Sequence, residues 1–570
     1  MVEFVFRVAG EAGMGAATAA DLLSAVALRF GYNIFSSKDY ASQIRGGHNY
    51  HTIRVSNQKV NADVREINIL LAFNQESLQK HLEFMSKDGI IIYNSKDECV
   101  EKDNLYLFPI DIEKIESELK EKNLLNFIFV GATLKTLGVK WDSIEEIIKQ
   151  KFAKKTNLEI WKNAVLLGFN QAEKVYDLPD LNQNKNAQLI SGNQAIALGA
   201  LKAGLTFHAQ YPMTPVTGIL HHLTKEAINN NSLTVIQPED EISAINMALG
   251  ASYAGARAMT ATSGGGFALM IESVSLAGMA EIPLVIVEGQ RPGPATGVPT
   301  KTEQSDLKFV INAGHGDFPK VVIAPGSIEE CYTETKRSFY LAEKYQLPVL
   351  VLIDKHLAES FDTVNLTDIE KDFVFDYDQH VNIIEMVSEK QLNKDGLFKR
   401  YASNESSRTI PGTKSGVYTC SGDEHDEVGQ IIEDAEIRVK MMDRRMKKMN
   451  SILNELPDLE ITGSDDAELT IISWGSNKGA IEEAVYLLNQ EGKKVNFVII
   501  KYLLPFQSKN VGNVLKRAKK LALIEGNYTA QLGQLITEQT GITFENKLLK
   551  FNGQTFTVEE IYREIIKWLN

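Results

Sequence analysis

Thr214, Glu241 and Arg291, with the donors Thr296, Thr300, Lys301 and Thr302 that follow Arg291, are the residues on which this sequence could build chemistry, because each lies in a short stretch whose neighbours constrain it. In YPMTP, prolines at 212 and 215 each fix a φ angle and hold Thr214 rigidly between them. A ligand loop at a strand end and an ordinary proline turn with a surface Thr fit that stretch about equally well. Glu239, Asp240 and Glu241 open an apolar helix. Carboxylates there gain ~0.3–1 kcal/mol each from the helix dipole, so capping is the default reading for all three. Glu241 stands apart because Ala244, Ile245, Ala248 and Leu249 follow it on one helical face. Burial of that face would desolvate the carboxyl, raise its pKa and let it share a proton with a ring nitrogen. Arg291, Thr296, Thr300, Lys301 and Thr302 fall in EGQRPGPATGVPTKTEQSD, which like TSGGGFALM follows a strand-like run. A guanidinium there can grip a carboxylate with two donors. A surface Arg is the usual alternative, but so many constrained polar residues favour a site over a connector.

Other stretches carry weaker signals. GEAGMG, with Gly10, Gly13 and Gly15, could bring backbone N–H groups to a phosphate at a helix start, with Asp39 as the acidic candidate for a ribose. Its spacing is not GxGxxG, and a tight strand-to-helix turn explains it at least as well. Arg45-Gly46-Gly47-His48 puts a cation on a flexible loop, suited to an anion or to an interface. SGDEHDEVG clusters acids around His425 and reads as a solvated polar turn, with no metal assigned. MMDRRMKK reads as the polar face of a helix.

The elements that must position these residues follow from periodicity. Residues 2–9 form a strand, GEAGMG turns, and AATAADLLSAVALRF is helical up to Gly31. Further βα alternation gives a first α/β domain over 1–175 and a polar linker over 176–188. A second α/β domain spans 189–360, a less regular connecting segment 361–460, and a third α/β domain 461–570. The chain has 570 residues, 44% hydrophobic and 24% charged, enough to bury several ordinary cores and incompatible with general disorder. Its net charge of −14 disfavours nucleic acid and anionic lipid as partners. Cys99, Cys331 and Cys420 lie far apart and form no CxxC, so zinc-knuckle, thioredoxin-type and ferredoxin-type cluster spacings are absent. A reduced, cytoplasmic chain is expected. The N-terminus reads as a first strand rather than a secretory signal, and no apolar run approaches the ~18 residues of a membrane span.

YPMTP, PEDE before a Gly/Ala-rich helix, TSGGG and QRPGPATGVPTKTEQ, in that order, resemble the 2-oxoacid:ferredoxin oxidoreductases. In particular the chain looks like the alpha subunit of the two-subunit type, with a gamma-type domain fused ahead of the pyrimidine-binding domain. GEAGMG plus RGGH matches the gamma-type domain, and GDEHDEVG, SWGSNKGAIEEA and IEGNYTAQLGQL match the linker and a transketolase C-terminal-like domain. The resemblance implies three α/β domains and a thiamine diphosphate enzyme that converts a 2-oxoacid, with 2-oxoglutarate favoured, and coenzyme A to acyl-CoA and CO2, reducing ferredoxin. Thr214 and Arg291 would bind the oxo and carboxylate groups of the substrate, and Thr300 would line the same pocket. Glu241 would meet N1′ of the thiamine pyrimidine. The chain lacks a diphosphate–magnesium motif and a cluster-binding cysteine set, so a beta subunit in a hetero-oligomer is expected to supply diphosphate contacts, Mg2+ and a [4Fe–4S] cluster. GEAGMG also departs from the family's commoner Gly-Gly-Gln-Gly form. Two rivals are an E1-type component of a 2-oxoacid dehydrogenase, which would lack the gamma-type domain, and a non-catalytic scaffold subunit, against which intact Thr214, Glu241 and Arg291 argue.

Overall fold

A computed structural model describes residues 2–42, 46–99, 104–153, 155–181, 186–372, 387–403 and 408–570. Arg45 of the RGGH stretch lies outside the described residues. The chain packs as two compact units, one formed by residues 1–190, 360–367 and 557–561, the other by the remainder.

The first unit is built on an eight-stranded sheet. Its centre is the strand Glu3–Ala12, with Ile67–Ala72 parallel on one side and Gly46–Ser56 antiparallel on the other. Gly46–Ser56 also runs antiparallel to Asn33–Asp39, because the short link between them can only reverse the chain. The sheet is therefore mixed. At the start of the irregular segment, Phe361–Val364 pairs antiparallel with Asn33–Asp39 and extends this sheet. The helix Leu125–Thr136, which packs on it, meets the helix Leu158–Phe169 backbone to backbone. A Cβ on Gly131 would lie 1.9 Å from the Val165 carbonyl, and one on Gly168 would lie 1.9 Å from that of Ile128. The GEAGMG glycines serve packing and turning. A Cβ on Gly10 would strike Phe73, while Gly13 and Gly15 take φ of 98° and 85°.

The second unit holds a seven-stranded and a five-stranded sheet. Leu284–Gln290 and Pro348–Asp354 lie at the centre of the first, parallel to each other and fully buried, which is why both begin as apolar runs, LVIV and PVLVLI. KVNFVIIKYLLP divides between the sheets. Val495–Ile499 joins the five-stranded one, whereas Tyr502–Leu504 adds an antiparallel edge to the seven-stranded one. That segment, with one strand in each sheet, ties the two α/β regions into one unit.

The acidic loop and the basic helix turn out differently from a solvated turn and a polar face. His425 is fully buried against Tyr401, with ring centroids 4.2 Å apart. Glu424 accepts two hydrogen bonds from Arg445 and is also paired with Arg438. On the helix Ala435–Glu455, Arg444, Arg445 and Lys448 are buried, and Arg444 and Lys448 converge on the buried carboxylate of Glu281. Buried cations need such partners, and these come from segments distant in sequence. Among the described residues no helix is long and apolar enough to cross a membrane.

Candidate active site

Thr214, Glu241 and Arg291 lie in the segments that leave the C-terminal ends of the parallel strands Phe207–Ala209, Thr234–Ile236 and Leu284–Gln290, where α/β folds place ligands. The YPMTP loop follows the strand Phe207–Ala209, and its Thr214–Pro215 peptide is cis. Three successive carbonyls in it each receive a side-chain donor: Arg291 Nη1 to Thr214 O (2.9 Å), Asn193 Nδ2 to Pro215 O (2.8 Å) and Gln210 Nε2 to Val216 O (3.1 Å). This loop is held from three elements, which an ordinary surface turn does not need. It also joins Thr214 and Arg291, with one guanidinium N–H committed to the backbone. Arg291 is half-buried. Burial pulls its pKa down, while the neighbouring carboxyls of Glu288 and Asp306 oppose that shift.

Asp240 caps the helix Glu241–Tyr253 by accepting from Ser243 N (2.7 Å), and Glu239 accepts from the Ser243 hydroxyl. Asp240 is thus the capping group, and Glu239 is an exposed partner of a side chain in the same turn. Glu241 is neither: it is 4% exposed, and its Oε1 is buried without a hydrogen-bond partner. An acceptor left in that state costs about 1–3 kcal/mol unless something donates to it. It lies against the start of the helix Gly264–Met279. A Cβ on Gly266 would sit 2.6 Å from Glu241 Oε1 and 2.2 Å from Thr262 Oγ1, so Gly is what lets the carboxylate enter. Ser263, preceding that helix, also has a buried hydroxyl without a partner. Thr300 is 7% exposed, at the far end of the loop that begins with Arg291. Among the described residues no hydrogen bond joins its hydroxyl to Thr214 or Arg291.

Three family models match the chain. Residues 5–171 match pyruvate ferredoxin/flavodoxin oxidoreductase, 198–444 the thiamine-diphosphate-binding region of pyruvate flavodoxin/ferredoxin oxidoreductase, and 467–561 core domain II of pyruvate:ferredoxin oxidoreductase. The 2-oxoacid:ferredoxin oxidoreductase subunit alpha of a Sulfolobus species is 32% identical, over 98% of this chain and 96% of its own length. The chain belongs to the 2-oxoacid:ferredoxin oxidoreductase alpha subunits. The 2-oxoglutarate oxidoreductase subunit KorA of Mycobacterium tuberculosis is 29% identical over 98% of this chain and 91% of its own. A solved 2-oxoglutarate:ferredoxin oxidoreductase from Magnetococcus marinus, with 2-oxoglutarate, coenzyme A and succinyl-CoA bound, superposes with a TM-score of 0.90. It is 30% identical and both chains are covered in full.

In this alpha subunit Thr214, Glu241, Arg291 and Thr300 all fall within the thiamine-binding region. The end of the long polar loop serves a different purpose from its beginning. The Thr302 hydroxyl donates to Asp354 and accepts from His356 N. Gln304 Nε2 donates to Trp474 O, and its Oε1 accepts from Asn477 and from Gly526 N. Gln531 donates to Ser305 O. Through Gln304 and the adjoining Ser305, TKTEQ is a seam to the C-terminal α/β region of the alpha subunit, while the Thr302 hydroxyl is spent on Asp354 and His356 of its own region. Sequence reasoning passed over Gly266, Ser263, Glu288 and Asp306. The available signal was the lone acid in the apolar run LVIVEGQ.

The two helix-start glycines separate fold from site. A Cβ on Gly265 meets nothing within 4 Å, so Gly265→Ala costs this chain no packing. Gly266→Ala in the assembled enzyme is expected to displace Glu241, lower the melting temperature by the equivalent of ~1–3 kcal/mol, and weaken thiamine diphosphate binding. Gly265→Ala is expected to keep the melting temperature, so that a fall in turnover on this change reports a contact made outside the chain. Melting curves and calorimetric titration with thiamine diphosphate check both.

Proposed function

We propose that this alpha subunit forms half of an enzyme that oxidatively decarboxylates 2-oxoglutarate with coenzyme A, yielding succinyl-CoA and CO2 and passing two electrons singly to ferredoxin. The observation that carries the reading is the buried, partnerless Glu241 Oε1 at a glycine-only helix start. Those residues fit the pyrimidine end of thiamine diphosphate, whose ring nitrogen N1′ would satisfy the orphaned acceptor. When bound, the cofactor supplies a nucleophilic thiazolium carbon and an electron sink for decarboxylation. Glu241 holds or releases a proton at Oε1 toward the ring nitrogen and so sets its tautomer. Arg291, pinned through Nη1, turns its remaining N–H groups to the C1 carboxylate. The Thr214 hydroxyl donates to the 2-oxo oxygen, and Thr300 closes the same pocket. The preference for 2-oxoglutarate rests on the KorA relative and the Magnetococcus marinus enzyme.

The rest of the site belongs to a beta subunit. Ile242, Met247 and Leu269 are exposed on the two helices flanking Glu241, although both helices are apolar nearly all round. Such helices are normally covered. A [4Fe–4S] cluster takes four thiolates, and this chain has only Cys99, Cys331 and Cys420. The cluster, Mg2+ and diphosphate contacts are therefore assigned to that partner. Accordingly, the alpha subunit purified alone is expected to be colourless, iron-free and a poor binder of thiamine diphosphate, with all three properties reversing when the partner is co-expressed. Stoichiometric iron or tight cofactor binding in the single chain sinks the half-site reading.

A further inference from the structure

Glu288 lies in the central strand Leu284–Gln290, level with Thr262 and Leu352 of the neighbouring strands, and is fully buried. Neither of its carboxyl oxygens has a hydrogen-bond donor. The group that faces it is the carboxyl of Asp306. Asp306 is held there because its N–H donates to Gln290 Oε1 (3.0 Å), and because Gly264 leaves room: a Cβ on Gly264 would lie 2.6 Å from Asp306 Oδ2. Two ionised carboxylates are acceptors only and cannot bond to each other. In a dry interior their mutual repulsion adds to the desolvation of each.

The charged groups around the pair are few. Arg291 follows on the same chain and is the nearby cation. Asp354, on the adjacent strand Pro348–Asp354, adds negative charge, but its oxygens already accept from Thr302, Ser476 and Leu357 N. Glu303, in the loop leading to Asp306, has its own carboxyl pushed up by burial.

We propose that Glu288 and Asp306 share one proton, Glu288 donating its O–H to the Asp306 carboxylate, and that this keeps the charge behind Arg291 at a single negative unit. Glu288 and Asp306 are then positioning residues, acting on substrate only through Arg291. With one carboxylate behind it, the guanidinium keeps positive potential toward an incoming carboxylate; with two, it would be over-neutralised. The inference rests on the reading of Arg291 as the anchor of the 2-oxoacid. Burial, and next the Asp306 charge, push the Glu288 carboxyl well above the usual carboxylate range, and burial raises that of Asp306 to about 6. The pair titrates as a unit. Loss of its shared proton to solvent as pH rises adds one negative charge beside Arg291 and weakens substrate binding without touching the reacting atoms.

The test uses the purified native complex. Its infrared spectrum at mildly alkaline pH is expected to contain the carbonyl stretch of a protonated carboxylic acid that disappears in Glu288→Gln. KM for the 2-oxoacid is expected to climb with pH in the native enzyme by at least about tenfold, the effect of one added charge within ~12 Å at an effective dielectric of about 20. In Glu288→Gln, which keeps a neutral donor to Asp306, KM should stay flat, and kcat should be similar in both. Absence of the band overturns the proposal, as does the same KM-against-pH curve in both proteins. Failure of the underlying Arg291 reading looks different: Arg291→Lys would then leave KM unchanged while the infrared band persisted.

Discussion

Replacing Glu241 by Gln in the assembled enzyme is expected to lower turnover by roughly 10²–10⁴-fold, the usual worth of a positioned acid–base group. Stability should barely change. Gln fills the same space beside Gly266 and can still hydrogen-bond, and the loss of a carboxylate from the first turn costs at most ~0.3–1 kcal/mol. Asp240, not Glu241, accepts from the Ser243 backbone, so the helix start survives the change. Gln cannot exchange a proton with the ring nitrogen, so hydrogen–deuterium exchange at C2 of bound thiamine diphosphate should slow together with turnover. An unchanged exchange rate would reduce Glu241 to a buried carboxylate with no part in the reaction.

Arg291→Lys is expected to lower kcat/KM by roughly ten- to a hundredfold, the ~1.5–3 kcal/mol worth of a hydrogen bond to a charged group. Lys keeps the charge but loses the planar fork. It also loses the bond from Nη1 to the Thr214 carbonyl, so the YPMTP loop is left with two of its three side-chain donors. Because every 2-oxoacid carries the C1 carboxylate, the factor should be similar for pyruvate, 2-oxobutyrate and 2-oxoglutarate. Steady-state kinetics with the three substrates decides the point. A loss confined to 2-oxoglutarate would assign Arg291 to the distal carboxylate and leave the C1 anchor to another group.

Local periodicity and short constrained strings were enough to expose the α/β alternation, the order of the motifs and the family resemblance. The separation of Glu241 from its acidic neighbours was also legible, because Ala244, Ile245, Ala248 and Leu249 mark the buried face of its own helix, and all four are buried. What periodicity reads is one face of one element. It does not say which distant segment covers that face. MMDRRMKK therefore looked like a solvated surface until the fold brought Glu281, 163 residues from Arg444, against it. Thr302 looked like a site donor until the fold set Asp354 and His356, 52 and 54 residues further on, against its hydroxyl. The carboxyls of Glu288 and Asp306 come from a strand and a later loop, and only the packing of that loop against Gly264 and Gln290 sets them facing each other. The energy of a charged or polar side chain depends on partners and burial within a few Å, and tertiary structure alone decides what lies there.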